Sequence, residues 1–403
     1  MDAVISEWGS LLLRWVHMIA GMAWIGSSFY FMHLDAAIKE IPDIPRGKGG
    51  EAWEVHGGGF YQVRKYLVAP EKLPPQLMWH KWESYATWIS GFFLLVWIYY
   101  LGADLYLIDP QVRPLSPLAA AGIGIAGLLL GWFVYDGLVR SPLANNDIVL
   151  AAVGFAFIMG MAWLFQTIFS GRGALLHTGA LMGTIMTGNV FLNIIPNQRR
   201  VIADLVAGRT PDPRFGRQAK TRSTHNNYLT LPVLFLMISG HYPLTFRSAH
   251  AWIMVGLVLI AGAVIRHYYN ERHSGRGDTW WAWGVAAACV VAAAFITLPA
   301  DPLGRQIQGR ATSTAGEASP TRVPKAVDDI IASRCSMCHA AEPVWSGLAT
   351  PPKGMLLETD AQIARHAEAI RLYATLSDAM PPNNITLMTA EERQTLARWL
   401  AHR

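Results

Sequence analysis

Apolar residues in this chain come in long runs rather than in alternation. Eight of the runs approach the ~20 residues a helix needs to cross a bilayer. They fall at about residues 11–34, 85–105, 118–139, 148–169, 174–195, 228–241, 251–267 and 280–298. The sixth is short and contains Pro232. Gly127-x-x-x-Gly131 and Gly179-x-x-x-Gly183 set small residues one turn apart inside two of the runs, a pattern that lets helix backbones approach closely. Beyond residue 299 the pattern changes. Residues 300–324 are rich in Ala, Gly, Ser, Thr and Pro and read as a flexible linker. Helical spacing returns over 325–403, where Thr389-Ala390-Glu391-Glu392 forms a T-x-x-E capping box before a last amphipathic helix carrying Leu396, Trp399 and Leu400. The expected fold is all-α: a polytopic transmembrane bundle of about eight spans over 1–299, a linker, and a small helical domain over 325–403.

Composition sharpens this picture. Of the 403 residues 52% are hydrophobic and 15% charged, against roughly 25% charged in soluble domains. The basic residues sit in alternate loops. Lys39, Arg46, Lys48, Arg64, Lys65, Lys72 and Lys81 follow the first run; Arg199, Arg200, Arg209, Arg214, Arg217, Lys220 and Arg222 follow the fifth; Arg266, Arg272 and Arg276 follow the seventh. The alternate loops, after the second, fourth and sixth runs, hold only Arg113, Arg172 and Arg247. Basic loops stay in the cytoplasm, which predicts a multi-pass protein of a bacterial-type inner membrane with both termini outside. The net charge of +5 belongs to those loops near anionic headgroups, and no nucleic-acid partner is implied.

The last segment contains Cys335-Ser336-Met337-Cys338-His339, the spacing of c-type haem attachment. Two thiols bind the haem edge and His339 takes the iron. With three cysteines in the chain, a four-thiolate zinc site is excluded. The segment reads as a class I cytochrome c-like helical domain. Met380, in Met380-Pro381-Pro382-Asn383, is the expected second axial ligand, with Met355 and Met388 as competitors.

Nearly the whole chain, including the order of an eight-span domain followed by a cytochrome c, resembles the membrane-bound urate hydroxylases of the PuuD type. The matching stretches include residues 14–30, which open Arg14-Trp15-Val16-His17, and Val55-His56-Gly57-Gly58-Gly59-Phe60-Tyr61. They also include Ile195-Pro196-Asn197-Gln198-Arg199, Ser223-Thr224-His225-Asn226-Asn227-Tyr228 and Ser239-Gly240-His241-Tyr242-Pro243. The resemblance implies oxidation of urate to 5-hydroxyisourate, with water supplying the oxygen and haem c taking the electrons. A terminal oxidase or soluble cytochrome would then accept them.

Polar residues inside spans are costly and so mark working positions. His17 and His177 lie at similar depth toward the outer side and are the candidates for opposed ligands of a non-covalent haem b. Arg14, one turn from His17, suits a haem propionate or a substrate anion. The cytoplasmic layer holds Glu83, Asp136, Asn193, Gln198, His225, Asn226 and Asn227. Asp136 and Glu83 are the candidate general bases, although Asp136 also stands at i−4 to Arg140. His56-Gly57-Gly58-Gly59 reads either as an anion-binding nest or as a solvated turn. The competing function is a respiratory electron carrier without an organic substrate of its own.

Overall fold

The first apolar run and its flanks form one 36-residue helix, α1 (Asp2–Ala37). The computed structural model describes residues 2–44, 49–67, 70, 73–246, 250–297, 323–345, 348 and 350–401. Of the basic residues that set the orientation, Arg46, Lys48, Lys72 and Arg247 lie outside the described residues, as does all but the end of the expected linker.

After α1 the chain turns back as an antiparallel hairpin, β1 (Gly49–His56) and β2 (Gly59–Tyr66). This corrects the all-α expectation. His56 pairs with Gly59 across the two-residue loop, in which Gly57 and Gly58 have φ of 56° and 80°. Two successive positive φ angles make a tight hairpin turn that favours glycine, so this glycine run is a hairpin tip. Asp35 at the end of α1 accepts from Lys65 of the hairpin and from Lys220.

The bundle follows. Helix α2 (Trp82–Leu94) runs into a π-helical turn, Leu95–Tyr100, and short α3 (Ala103–Tyr106) closes that end. Helices α4 (Pro117–Arg140) and α5 (Asp147–Gln166) follow. Helix α6 (Gly171–Gly188) then passes through a second π-turn, Asn189–Ile194, into α7 (Ile195–Val206). Helix α8 (Pro213–Ser239), short α9 (Pro243–Phe246), α10 (Ala251–His273) and α11 (Trp281–Thr297) complete it. Every expected span falls on a helix. Four among the described residues are long and apolar enough to cross a membrane: Pro117–Arg140, Asp147–Gln166, Gly171–Val206 and Ala251–His273. The others fall short for visible reasons. Arg14, His17, Ser27 and Ser28 dilute α1, a π-turn divides α2, polar residues open α8, and α11 has 17 residues.

Close approach explains the small residues. A Cβ on Gly127 would stand 2.6 Å from the Phe165 ring, and one on Gly131 2.5 Å from Leu181. Gly179 packs on Leu236, whereas Gly183 has open space beside it. The core gathers Leu107, Leu128, Phe165, Phe169, Leu181, Met182, Ile185 and Leu236.

Sequence and structure differ most at α8. The expected sixth span begins near residue 228, but the helix starts fifteen residues earlier. Asp212 caps it, its carboxylate accepting from the Arg214 N–H at 2.8 Å, and Pro213 takes the first position. Arg222, counted as a loop charge, therefore lies inside the bundle, 4% exposed. Arg266, also counted as a loop charge, is 7% exposed within α10.

The C-terminal segment has its own core. Helices α12 (Lys325–Arg334), α13 (Ser336–His339), α14 (Asp360–Arg365), α15 (Ala367–Ile370) and α16 (Ala390–Ala401) surround it. Val323, Val327, Ile331, Ile363, Met388 and Leu396 fill it. The expected capping box is present: Thr389 N–H donates to Glu392 Oε2 at 2.7 Å, and Glu392 N–H to Thr389 Oγ1 at 3.2 Å. Arg334 of α12 donates to both oxygens of the same carboxylate, tying the first helix of the segment to the last.

Candidate functional site

Two places concentrate chemistry. In the C-terminal segment, the turn after α12 presents Cys335 and Cys338, both free thiols. Burial pushes the Cys335 thiol up to about 12 and raises that of Cys338. Nδ1–H of His339 donates to the Met355 carbonyl at 3.0 Å. Burial holds the His339 ring below its ordinary pKa, only partly offset by that bond. The result is a neutral imidazole, fixed in direction, with Nε2 left as a lone-pair donor, which is how protein scaffolds orient a histidine for a metal.

Met380 is pinned through its main chain. Its N–H donates to Tyr373 O at 2.8 Å, and its carbonyl accepts from Arg393 at 2.8 Å. Cys335, Met355 and Met380 all pack against the same apolar cluster. Met355 sits on the His339 side through the bond just described. Met388 is 2% exposed, with both main-chain groups held by Asn384. Two thiols, one oriented imidazole and one thioether around an apolar core are the donor set a covalently held haem needs. Among the described residues no three His, Cys, Asp or Glu side chains gather as a metal site; a haem iron, with four ligands from its own ring, does not require one.

This segment meets the bundle end at α3, through its turn Pro382–Asn384. A cleft of about 720 Å³ lies at that junction, with Asp109, Phe169 and Arg172 on one side and Ser377, Asn383 and Arg393 on the other.

The second place is a buried polar layer at the opposite end of the bundle. Arg222 donates to Asp136 Oδ1 at 2.6 Å and to Asn189 Oδ1 at 3.1 Å, and its guanidinium lies 5.1 Å from the Tyr135 ring centre. Asn189 donates to Tyr135 Oη at 2.8 Å and to Asn226 Oδ1 at 2.9 Å. Tyr135 Oη bonds His225 Nδ1 at 2.9 Å, and Asn226 donates to the Met186 carbonyl. Asn189 opens the second π-turn, a backbone irregularity common at working sites. On the next face of α8, Arg266 donates to Asn227 Oδ1 at 3.1 Å and stands 4.2 Å from the centre of the Phe29 ring.

The structure separates the predicted residues. Asp136 has both oxygens engaged by guanidinium groups, Arg222 on one and Arg140 on the other at 2.7 Å. Glu83 meets His80 through Oε1 at 3.2 Å, while its Oε2 is buried with no partner. Arg14 is on an exposed face of α1. His17 Nδ1 lies 3.0 Å from Thr87 O and 3.1 Å from Ser90 Oγ, joining α1 to α2.

His177 is enclosed. Its Nδ1–H donates to Gly173 O at 2.8 Å, and its Nε2 meets Tyr100 Oη at 3.3 Å. A Cβ on Gly124 would come within 2.6 Å of that Nε2. With one nitrogen donating and the other covered by a phenol and a helix backbone, His177 does not fit as a haem iron ligand. Both nitrogens of His177 and Nδ1 of His17 are thus engaged within the bundle.

Sequence reasoning found Asn226, Asn227 and His225 but missed Arg222, Arg266, Asn189 and Tyr135. The available signal was the i, i+4 spacing of Arg222 and Asn226, which becomes visible only once α8 is extended back to Asp212.

No curated protein and no solved structure matches the chain. The family described as urate oxidase N-terminal matches residues 3–297, the whole helical bundle with its buried polar layer. The chain belongs to the urate oxidase N-terminal family.

Proposed function

We propose that this chain is a membrane-bound oxidoreductase that oxidises urate in the buried polar layer and delivers the electrons to a covalent haem c on its C-terminal segment. The observation that carries the reading is the joining, in one chain, of a urate-oxidase-family bundle to a segment whose Cys335, Cys338, His339 and Met380 suit haem. Eight helices, α1, α2, α4, α5, α6, α8, α10 and α11, would cross the membrane. The outward exposure of Trp15, Met18, Met22, Leu129, Phe133, Val290 and Phe295 supports this, since large exposed apolar faces need a non-aqueous neighbour. Basic loops at the polar-layer end support a cytoplasmic site with the haem segment outside.

The overall reaction is urate plus water giving 5-hydroxyisourate, two protons and two electrons. A C5–O bond forms, one proton leaves the water while its other hydrogen stays on the new hydroxyl, the second proton leaves a ring nitrogen, and the purine loses the electron pair. Haem c, when bound, accepts those electrons one at a time. The chain's own residues would bind the anion, keep bulk water away and remove the water proton. Glu83 is the proposed base, because its Oε2 is buried and uncommitted and a positioned carboxylate can take a proton from water. Asp136 is assigned to holding Arg222, not to proton transfer. The experiment that tests the reading is reduction of the haem by urate in the absence of oxygen.

A further inference from the structure

The two buried arginines of the polar layer are unequal. Arg222 is answered by the carboxylate of Asp136 at 2.6 Å. Arg266 has no carboxylate partner among the described residues; its nitrogens reach only the amide oxygens of Asn227, at 3.1 Å, and Asn270, at 3.4 Å. A buried cation without a counter-charge is costly, most of all between apolar helices. Beside it, Asn227 is 0% exposed and its Nδ2 has no hydrogen-bond partner. Two further orphaned atoms stand at this level of the bundle, Ser84 Oγ and Thr187 Oγ1, on residues 1% and 8% exposed. Neighbouring contacts set the level: Tyr85 packs on Phe191, Trp88 bonds Thr184, and Asn226 bonds the Met186 carbonyl.

We propose that Arg266 and Asn227, with Ser84 and Thr187, form the subsite that takes the anionic edge of a planar, lactam-bearing heterocycle. This rests on the function proposed above and specifies where its substrate binds. The missing negative charge is the ligand's. Asn227 Nδ2 donates to a ring carbonyl or deprotonated nitrogen, and the two hydroxyls bond the lactam edge. Neutral purines lack the charge that Arg266 requires, so the subsite selects the urate monoanion.

The test uses the full-length holoprotein reduced with dithionite, so that bound urate cannot turn over. Radiolabelled urate binding is measured by equilibrium dialysis. Arg266→Gln should weaken binding roughly tenfold or more, the loss expected when a charged partner is removed, and Arg266→Lys should restore part of it. Asn227→Asp is the second variant. It supplies a carboxylate to Arg266 without changing side-chain size, so it should keep or raise thermal stability yet lose urate binding. Wild-type binding by Arg266→Gln, or by a folded Asn227→Asp protein, overturns the subsite. If the wild type binds urate but urate never reduces its haem, the oxidation reading fails and the subsite stands. If the wild type binds no urate, both fall.

Discussion

The imidazole of His339 donates to the main-chain oxygen of Met355 at 3.0 Å. That bond holds the ring in the tautomer that leaves Nε2 free, and it places Met355 behind the ring. If Nε2 were to hold a haem iron, a thioether partner for it would come from a residue other than Met355. Met388 has both main-chain groups held by Asn384, and Met380, clamped through its main chain by Tyr373 and Arg393, is the second ligand we propose.

Met380→Ala should therefore lower the haem reduction potential and abolish the sulfur–iron charge-transfer band, since a Met/His pair raises the potential. Met355→Ala should keep the band. Redox titration with near-infrared absorption reads both, and the opposite outcome would reassign the ligand.

Asp136 and Glu83 should behave differently on substitution. Asp136→Asn removes the counter-charge of buried Arg222 and should cost stability by about 3–5 kcal/mol, the usual penalty for breaking a buried pair. Glu83→Gln should leave thermal stability nearly unchanged and slow urate turnover by roughly 10²–10⁴, the worth of a general base, with little change in KM. Equal melting temperatures for both variants would refute the division of roles.

Haem content follows from the enclosure of His177. Acid–acetone extraction of the purified protein should leave all haem with the chain, and a pyridine haemochrome should show the c-type spectrum alone. Extractable haem in equal amount to the chain would contradict this reading of His177 and return it, with His17, as a candidate ligand.

These distinctions also mark what the sequence could reveal. Long apolar runs locate the eight long helices of the bundle because an apolar run of that length needs no partner to be recognised. The thiol–imidazole motif and the Thr389–Glu392 box are local, so spacing alone exposes them. Arg222 and Arg266 were hidden because a basic residue next to an apolar run looks like a loop charge; only the early start of α8 at Asp212 and the neighbours on α4 and α10 bury them. The hairpin escaped because apolar Trp53, Val55 and Phe60 stand at its exposed positions, so apolar residues do not mark its buried face. His177 looked like Arg14's neighbour His17 in depth, but depth does not tell which groups cover a nitrogen.

The Arg334–Glu392 link predicts a pH dependence for the C-terminal segment. Burial would raise the Glu392 pKa, but hydrogen bonds from Arg334 and the Thr389 N–H outweigh it and hold the carboxyl below its ordinary 4.5. The ionised form is thus favoured by folding. Its contribution is fully present above about pH 4.5 and is lost as pH falls through the lowered folded value. At neutral pH Glu392→Gln should lower stability by about 1 kcal/mol or less, since the pair is partly exposed. The difference from wild type should vanish in acid. Circular-dichroism melts across pH 3–7 (roughly the carboxylate range) check this, and a gap that widens in acid would contradict it.

Anaerobic addition of urate to the purified, oxidised holoprotein tests the central claim most directly. The account predicts that the haem c α-band sharpens and grows as two haems are reduced per urate consumed, with 5-hydroxyisourate carrying oxygen from labelled water. An unchanged spectrum, in protein whose haem dithionite still reduces, would contradict it and leave a membrane electron carrier in its place.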